Sequence, residues 1–424
     1  MSQSSKINGK WQMENGKYSW PANFTFQIVR PNYLWTQLGL ALETWRNPVD
    51  LLFVPAHTLP ILRKRNIGFS IFQVPFSNYL KIFQLKNRKS MANGKWQMAN
   101  RPKYVVTIHD LGVEYLSRYH QFPQRYYLDL ASKYAAKHAD ALIAVSSATK
   151  HDLISRYKVG AKRVLVVPEG VDGRFFKPQS RVKVESVKSK YKIRGDYVLF
   201  VGTVQPRKNL VTLIEAFSLL VGSRELVVSR RKKTTNYALQ TTNLVIAGKL
   251  GWDYQKILDA PKKFGIKGRV KFLGHVPSED LPSLYTGASV LTAPSLFEGF
   301  DLPILEALAC GCSVIASDIA VHREIYNKIF HFPPPNFRLL DNSSIEKLKI
   351  NDRWPMANGK LGHPVPITLV KPKDTDKWSR VLYQYISEYE KRKTLASVRR
   401  QLVSKFSWDE TAKKTLEVFE QILR

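Results

Sequence analysis

Two glutamates in the segment Pro294–Gly311 are candidates for binding a phosphorylated sugar. Glu298 lies in a loop that precedes an apolar pattern of helical period, and Glu306 falls about one turn inside that helix. Pro303 favours a helix start, where a backbone N–H is not needed. Unpaired N–H groups and the positive end of the helix dipole favour an anion, so we expect a diphosphate at this loop. Glu306 could then accept hydrogen bonds from both hydroxyls of a ribose, and Glu298 could face a sugar carried beyond the phosphates.

Two cations follow a buried strand in the segment Val198–Phe217. The apolar run ends at Gly202, and Arg207 and Lys208 stand in the turn before the next helical pattern. Ligands of doubly wound sheets lie at the carboxyl ends of strands, so the pair fits a phosphate clamp that would neutralise a diphosphate leaving group. The alternative is that both side chains only balance charge on an exposed surface.

A histidine ends another buried strand in the segment Tyr104–Gly112. His109 and Asp110 occupy the same type of position at the end of an apolar run. The histidine could hydrogen-bond a sugar hydroxyl or orient an acceptor. The alternative is a histidine satisfied within the fold, which is common for this residue type.

Apolar runs alternate with helical patterns from residue 49 onward, which indicates an α/β protein with two sets of parallel strands. Helices are predicted at Gln124–Ala139, Ser147–Tyr157, Leu210–Leu220 and Leu302–Cys310, and a final amphipathic helix follows the capping-box pair Ser407 and Glu410. Strands are predicted at Val49–Val54, Tyr104–His109, Ala141–Ser146, Arg163–Pro168, Tyr197–Gly202, Asn243–Gly248, Val270–Gly274, Ala288–Pro294 and Ser313–Ser317.

The set of motifs resembles the family-4 retaining glycosyltransferases, which have the GT-B fold. That resemblance implies two facing Rossmann-like, doubly wound domains, with the last helix crossing back to the first domain. It covers most of residues 33–320 and the final helix. The motifs that carry it are Val54–Pro60, Val105–Gly112, Ala141–Thr149, Val166–Asp172, Phe200–Leu210, Asn243–Trp252, Val270–Tyr285 and Glu298–Gly311, the last with two glutamates separated by seven residues.

The resemblance also implies roles for individual residues. His109 and Glu298 match the catalytic positions near the reacting sugar. The implied reaction is transfer of a hexose from a nucleotide sugar, a co-substrate, to a glycan or lipid-linked acceptor with retention, without a cofactor or a metal ion. The donor-binding positions are Gly202, Arg207, Lys208, Gly299, Phe300, Asp301, Leu302 and Glu306.

The predicted boundaries place an N-terminal acceptor-side domain at 1–178, a linker at 179–196, a nucleotide-sugar-binding domain at 197–405 and a crossing helix at 406–424. Inserts are expected at about 66–103, 222–242 and 335–375. Three related segments, Asn8–Met13, Asn93–Met98 and Trp354–Lys360, are interpreted as neutral insertions in exposed loops.

Two departures from the family leave a degenerate, inactive relative as an alternative. Residues 1–32 lack the opening strand and glycine-rich loop of the first domain. Asp301 stands where the family commonly has glycine, and a carboxylate there would repel a diphosphate unless it points away.

The net charge of +32 is consistent with an anionic partner, and the first 103 residues hold 15 basic and 3 acidic side chains. The simpler interpretation of such basic runs is a solvated surface. An anionic membrane surface is the favoured anionic partner, because in residues 76–89 Lys81, Lys86, Arg88 and Lys89 interleave with apolar side chains. An ordinary helix packed on the core is the equal alternative for this segment. A non-specific nucleic-acid binder is the alternative from another class, although no specific recognition motif is present. Two cysteines and a polar start predict a soluble cytoplasmic protein, and the basic segment 76–89 is the reason to expect peripheral attachment to the inner membrane face.

Overall fold

A computed structural model describes residues 13–14, 17–18, 50–55, 59, 102–112, 124–222, 241–330, 367–387, 389 and 396–424. The chain divides into two units, one formed by Met1–Pro168 with Ala412–Arg424 and the other by Glu169–Thr411. The two units are described separately below.

The first unit contains a four-stranded parallel sheet and a short hairpin. The hairpin pairs β1 (Met13–Glu14) with β2 (Lys17–Tyr18) in antiparallel register. The sheet has the order β3-β4-β5-β6, and all its pairs are parallel. Its strands are β3 (Leu51–Val54), β4 (Lys103–Ile108), β5 (Ala141–Ala144) and β6 (Val164–Val166).

Helices α1 (Gln124–His138) and α2 (Ser147–Tyr157) follow β4 and β5. Ser146 caps α2, because its side chain accepts a hydrogen bond from the backbone N–H of Thr149 at 3.0 Å. Buried aliphatic residues of the strands and of both helices form one core cluster on this face of the sheet. The continuous apolar runs of the strands are therefore explained by burial on both faces.

The second unit is built on a six-stranded sheet of order β12-β11-β10-β7-β8-β9, in which all pairs are parallel. Its strands are β7 (Tyr197–Val201), β8 (Asn243–Ala247), β9 (Val270–Gly274), β10 (Val290–Ala293), β11 (Val314–Ser317) and β12 (Ile367–Val370). Its helices are α3 (Arg181–Lys190), α4 (Leu210–Gly222), α5 (Gln255–Lys263), α6 (Leu281–Gly287), α7 (Leu302–Ala309), α8 (Ala320–Phe330), α9 (Thr375–Ser387) and α10 (Ala396–Val403).

The last helix, α11 (Trp408–Leu423), packs on the sheet of the first unit. Val418 is 3% exposed and lies in one cluster with residues of β3, β4 and β5. The rings of Phe53 and Phe419 meet edge to face with centroids 5.0 Å apart. The prediction that the final helix returns to the first domain is therefore confirmed.

The predicted cap of this helix is also present. The side chain of Ser407 accepts a hydrogen bond from the backbone N–H of Glu410 at 3.1 Å. We expect Ser407→Ala to lower the free energy of unfolding by about 1 kcal/mol, because one helix N–H loses its acceptor. Chemical denaturation would measure the change, with Ser404→Ala, which does not cap α11, as the control. Equal stability of the two variants would contradict the role of the cap.

Two predicted boundaries differ from the structure. The segment 179–196, predicted as a linker, contains α3, which belongs to the second unit, where Val184 is buried. The insert predicted at 335–375 extends too far, because Ile367–Val370 is a strand that pairs with β11 and α9 begins at Thr375. Both elements are short, and α3 has only one buried position, so their apolar patterns are weak.

The other sequence interpretations of these regions lie largely outside the described residues. They are the missing opening strand at 1–32, the insert at 222–242, and the repeated segments apart from Met13.

Candidate active site

The sheet of the second unit reverses its strand order between β7 and β10. From β7 the chain builds outward through β8 and β9, and then returns to place β10 on the other side of β7. In open α/β sheets, ligands bind at the carboxyl ends of the strands where this reversal occurs. The loops that follow these two strands contain Arg207 and Lys208 in one case and Glu298 in the other.

Glycine is required where the backbone crosses the end of β7. Gly248 has φ +152°, and a Cβ atom there would lie 1.9 Å from the carbonyl oxygen of Gly202. Gly202 has φ +150°, and a Cβ atom on it would lie 3.5 Å from Cε of Lys208. These two glycines therefore let neighbouring strand ends approach closely beneath the Lys208 side chain.

The two loops are joined by hydrogen bonds at Asn209, which adopts φ +55° at the end of a 3₁₀ turn. Its side-chain amide donates to the carbonyl oxygens of Pro294 at 3.1 Å and Pro372 at 2.7 Å. The backbone N–H of Leu296 donates to the carbonyl oxygen of Arg207 at 2.9 Å. Asn209 was not predicted as a site residue. Asparagine adopts the left-handed region more readily than most residues, so its type was the signal of a tight turn in the sequence.

Glu298 lies between the two cations. One carboxylate oxygen is 2.6 Å from Nη1 of Arg207, and the other is 2.6 Å from Nζ of Lys208. The side chain of Glu298 is 7% exposed, that of Arg207 is 16% exposed and that of Lys208 is 10% exposed. Burial alone would lower the pKa of Lys208, but Glu298 and Asp301 raise that pKa above its usual value, so the amine is charged at neutral pH.

Asp301 turns its carboxylate away from the loop surface and into the domain. It has φ +86°, its side chain is 3% exposed, and Oδ2 lies 3.0 Å from Nε2 of His322. Its other oxygen, Oδ1, lies 3.7 Å from Nζ of Lys208. Burial opposes ionisation, but Lys208 and His322 outweigh it and lower the pKa of Asp301 to about 2. The sequence analysis expected Asp301 to repel a diphosphate unless its carboxylate points away. The buried carboxylate does point away from the loop surface.

Glu306 lies one turn inside α7, and the hydroxyl of Tyr285 donates to its Oε2 at 2.6 Å. Burial and the nearby charge of Asp301 raise the pKa of Glu306 to about 7, although the hydrogen bond from Tyr285 acts in the opposite direction. The carboxylate therefore changes charge in the physiological range. Tyr285 was missed as a site residue, because a tyrosine at the end of the motif Val270–Tyr285 has no distinctive spacing to a carboxylate.

Removing this hydroxyl is expected to change the ionisation of Glu306. Tyr285→Phe should raise the pKa of Glu306 above about 7, since a hydrogen bond that stabilises the carboxylate is lost. A titration of Glu306 by ¹³C NMR of the labelled carboxyl would measure it. Tyr385→Phe is the matched control, because Tyr385 is also fully buried and its hydroxyl bonds Thr368 at 2.6 Å. An unchanged midpoint in Tyr285→Phe would contradict the assignment.

The other predicted donor-binding residues form the start of α7. Phe300 is 4% exposed, and its ring centroid lies 6.1 Å from that of Phe406. Gly299 is buried and precedes it, and Leu302 is the first residue of the helix, with Pro303 next. The first N–H groups of a helix have no acceptor within the helix, so this end favours an anion.

His109 belongs to the first unit and ends β4. Its Nε2 donates to the carbonyl oxygen of Pro55 at 3.0 Å, and its own carbonyl accepts from the Thr149 hydroxyl at 3.4 Å. The hydrogen bond to Pro55 agrees with the alternative that the histidine forms its hydrogen bonds within the fold. The catalytic role of His109 remains a prediction.

Asp374 caps the helix α9, so this acidic side chain has a structural role. Asp374 Oδ1 accepts a hydrogen bond from the backbone N–H of Lys377 at 2.9 Å, at the start of α9. In the part of the chain that the structure describes, no group of three or more His, Cys, Asp or Glu residues could hold a metal ion. Among the same residues, none of the helices combines the length and the hydropathy needed to cross a membrane. The predicted membrane-facing segment, residues 76–89, lies outside the described residues.

Comparisons with known proteins identify two matching family models. Residues 81–174 match the model for Glycosyltransferase Family 4, and residues 184–348 match the model for glycosyl transferases group 1. The chain is 28% identical over 233 residues to the O-antigen chain mannosyltransferase B of Escherichia coli, covering 55% of this chain and 57% of the relative. It is 29% identical over 289 residues to the D-inositol 3-phosphate glycosyltransferase of Salinispora tropica, covering 66% and 51%.

The matched part thus spans about half the length of these curated relatives. Among solved structures, the Anabaena protein HepE in complex with UDP-glucose matches with a TM-score of 0.55 and 20% identity, over 76% of this chain and 72% of that one. At this identity the likeness shows the fold, which confirms the predicted GT-B architecture.

Proposed function

The chain belongs to the group 1 glycosyltransferases with the GT-B fold, and on that basis we propose that it transfers a hexose from a nucleotide-sugar donor to a glycan or lipid-linked acceptor. The proposed reaction retains the anomeric configuration and uses no metal ion. The observation that carries the proposal is the cluster of Arg207, Lys208 and Glu298 at the carboxyl ends of β7 and β10, beside the start of α7.

In this proposal the donor diphosphate binds between the two cations and the N-terminal end of α7. Charge grows on the diphosphate as the bond to the sugar breaks, and fixed positive groups at that point lower the barrier. Arg207 and Lys208 are both held by Glu298, so they are positioned before the donor arrives. Little reorganisation is then needed during the reaction.

Glu298 therefore acts on the donor mainly through the cations that it holds, while the loop that carries it lies beside the sugar. Glu306 accepts hydrogen bonds from the ribose hydroxyls of the nucleotide. Gly202, Gly299, Phe300 and Leu302 supply backbone surface to the phosphates. His109, from the first unit, is proposed to bind a hydroxyl of the transferred sugar.

Mannose is the first donor sugar to test, because one of the similar proteins is named a mannosyltransferase. Glucose is the second, because the similar Anabaena structure is a complex with UDP-glucose. The attachment of the protein to an anionic membrane is proposed from sequence alone, and liposome sedimentation with neutral and anionic vesicles would test it.

The test is a thermal-shift screen of the whole protein with GDP-mannose, UDP-glucose and other sugar nucleotides, followed by a transfer assay with and without EDTA. A bound donor at 100 times its dissociation constant adds about 2.7 kcal/mol of stability. We expect one sugar nucleotide to raise Tm and to be consumed equally in EDTA. Stabilisation without turnover would support the inactive relative, and no stabilisation by any donor would refute the proposal. NMR of the product's anomeric proton would test retention.

A further inference from the structure

Asp301 occupies a backbone position that is unfavourable for a side chain. Its φ of +86° lies in the left-handed region, where a residue without Cβ is favoured. Its carboxylate is also buried, with a side chain 3% exposed. The backbone conformation costs free energy in the folded protein. The buried carboxylate costs more unless its charge is compensated. The compensation comes from Lys208 and from His322, a residue of α8 that the proposed reaction does not use.

The protonation of His322 follows from its two hydrogen-bond partners. Nδ1 lies 2.8 Å from the carbonyl oxygen of Ser317, which can only accept, so Nδ1 carries a proton. Nε2 lies 3.0 Å from Oδ2 of Asp301. An ionised carboxylate also only accepts, so Nε2 carries a proton as well. This hydrogen-bond geometry calls for a proton on both ring nitrogens, and the ring is 1% exposed, so the pair with Asp301 is shielded from water.

This charge changes the balance at the donor site. The cluster contains two cations, Arg207 and Lys208, and two carboxylates, Glu298 and Asp301. With a neutral His322 these four charges sum to zero, which weakens the attraction of the cluster for a diphosphate. With a protonated His322 the cluster keeps one positive charge. Asp301 lies 3.7 Å from Nζ of Lys208, so an uncompensated Asp301 would compete with the donor for that amine.

We propose that His322 is a positioning residue of the donor site: paired with Asp301, it keeps the charge of Lys208 available to the donor diphosphate. This inference rests on the proposed function. Arg207 and Lys208 also act on Asp301 from the 3₁₀ turn. Asp318, which follows β11, also interacts electrostatically with His322. Its carboxylate is paired with the guanidinium of Arg323 at 2.9 Å.

The test is a double-mutant cycle on donor affinity in the full chain, measured by calorimetry with the best sugar nucleotide from the screen. His322→Asn should weaken binding at least tenfold, because Asp301 then pairs with Lys208 alone. Asp301→Gly removes the competing carboxylate, and glycine suits φ +86°, so this variant provides the background for the second half of the cycle. In the Asp301→Gly background, His322→Asn should cost less than about twofold, since no carboxylate remains to be neutralised.

A second measurement covers the case in which His322→Asn does not fold. In wild-type protein at pH 7, ¹⁵N NMR of the imidazole should show both ring nitrogens of His322 protonated, and Asp301→Gly should lose one of these protons. Equal losses of affinity in both backgrounds, or a neutral ring in wild type, would overturn the inference. If wild type binds no sugar nucleotide, the proposed function fails, whereas binding with an additive cycle refutes only the role of His322.

Discussion

Lys208→Met is expected to reduce turnover by about 10²–10³-fold, the usual cost of removing one preorganised group that stabilises a developing anion. Its amine is buried, charged, and 2.6 Å from Glu298 at the end of β7. Methionine keeps most of the side-chain volume above Gly202, so the loss reports on charge. The positive charge of the cluster also decreases by one, since Glu298 then pairs with Arg207 only. Steady-state kinetics with the preferred donor would measure the effect.

The matched control is Lys267→Met. Lys267 is exposed and lies just before β9, at the amino edge of the same sheet. The same charge is lost there, far along the strands from the carboxyl ends, so turnover should stay within about twofold of wild type. A similar fall in both variants would indicate that net charge, and not a defined clamp, accounts for the effect of Lys208.

Glu306→Gln is expected to weaken donor binding at least tenfold, or about 1.4 kcal/mol, at pH 8. A carboxylate can accept hydrogen bonds from both ribose hydroxyls, whereas a carboxamide offers one acceptor and a donor. The variant also removes the charge partner of the Tyr285 hydroxyl. Calorimetric titration with a sugar nucleotide measures the change. Glu279→Gln, an exposed glutamate of the same unit, is the control and should bind as wild type does.

The pH dependence of this effect has a defined sign. The pKa of Glu306 is raised to about 7, so the side chain is protonated below that pH and ionised above it. Donor affinity of wild type should therefore rise as the pH increases from 6 to 8, while that of Glu306→Gln should stay flat. A sugar nucleotide is the right probe, because a terminal phosphate such as that of UDP titrates near a pKa of about 6. A flat wild-type profile would contradict the assignment of Glu306.

Stability without ligand should show the opposite trend. Between the ordinary pKa of 4.5 and about 7, the folded protein holds a proton at Glu306 that the unfolded chain has released. The contribution of this group to the free energy of unfolding therefore falls as the pH rises through that window. Glu306→Gln should remove that part of the pH dependence.

The bounds of several helices and strands could be predicted from the local sequence pattern alone. The helix Ser147–Tyr157 was predicted with its observed bounds, and most strands were placed within one or two residues. Continuous apolar runs bounded by turn signals are distinctive when strands are buried on both faces. The strand Ile367–Val370 was not predicted, since it is four residues long and only two of them are buried.

The sequence by itself determined the two-sheet α/β organisation, the family, and the positions of the two cations and two glutamates, because periodicity and motif spacing are local properties of the chain. Only the tertiary structure decided which side chains meet. Tyr285 reaches Glu306 and His322 reaches Asp301 across 21 positions each, through helices that pack at one edge of a sheet. It also decided the ionisation of Asp301 and Glu306, since burial and neighbouring charges set ionisation and neither can be read from linear order.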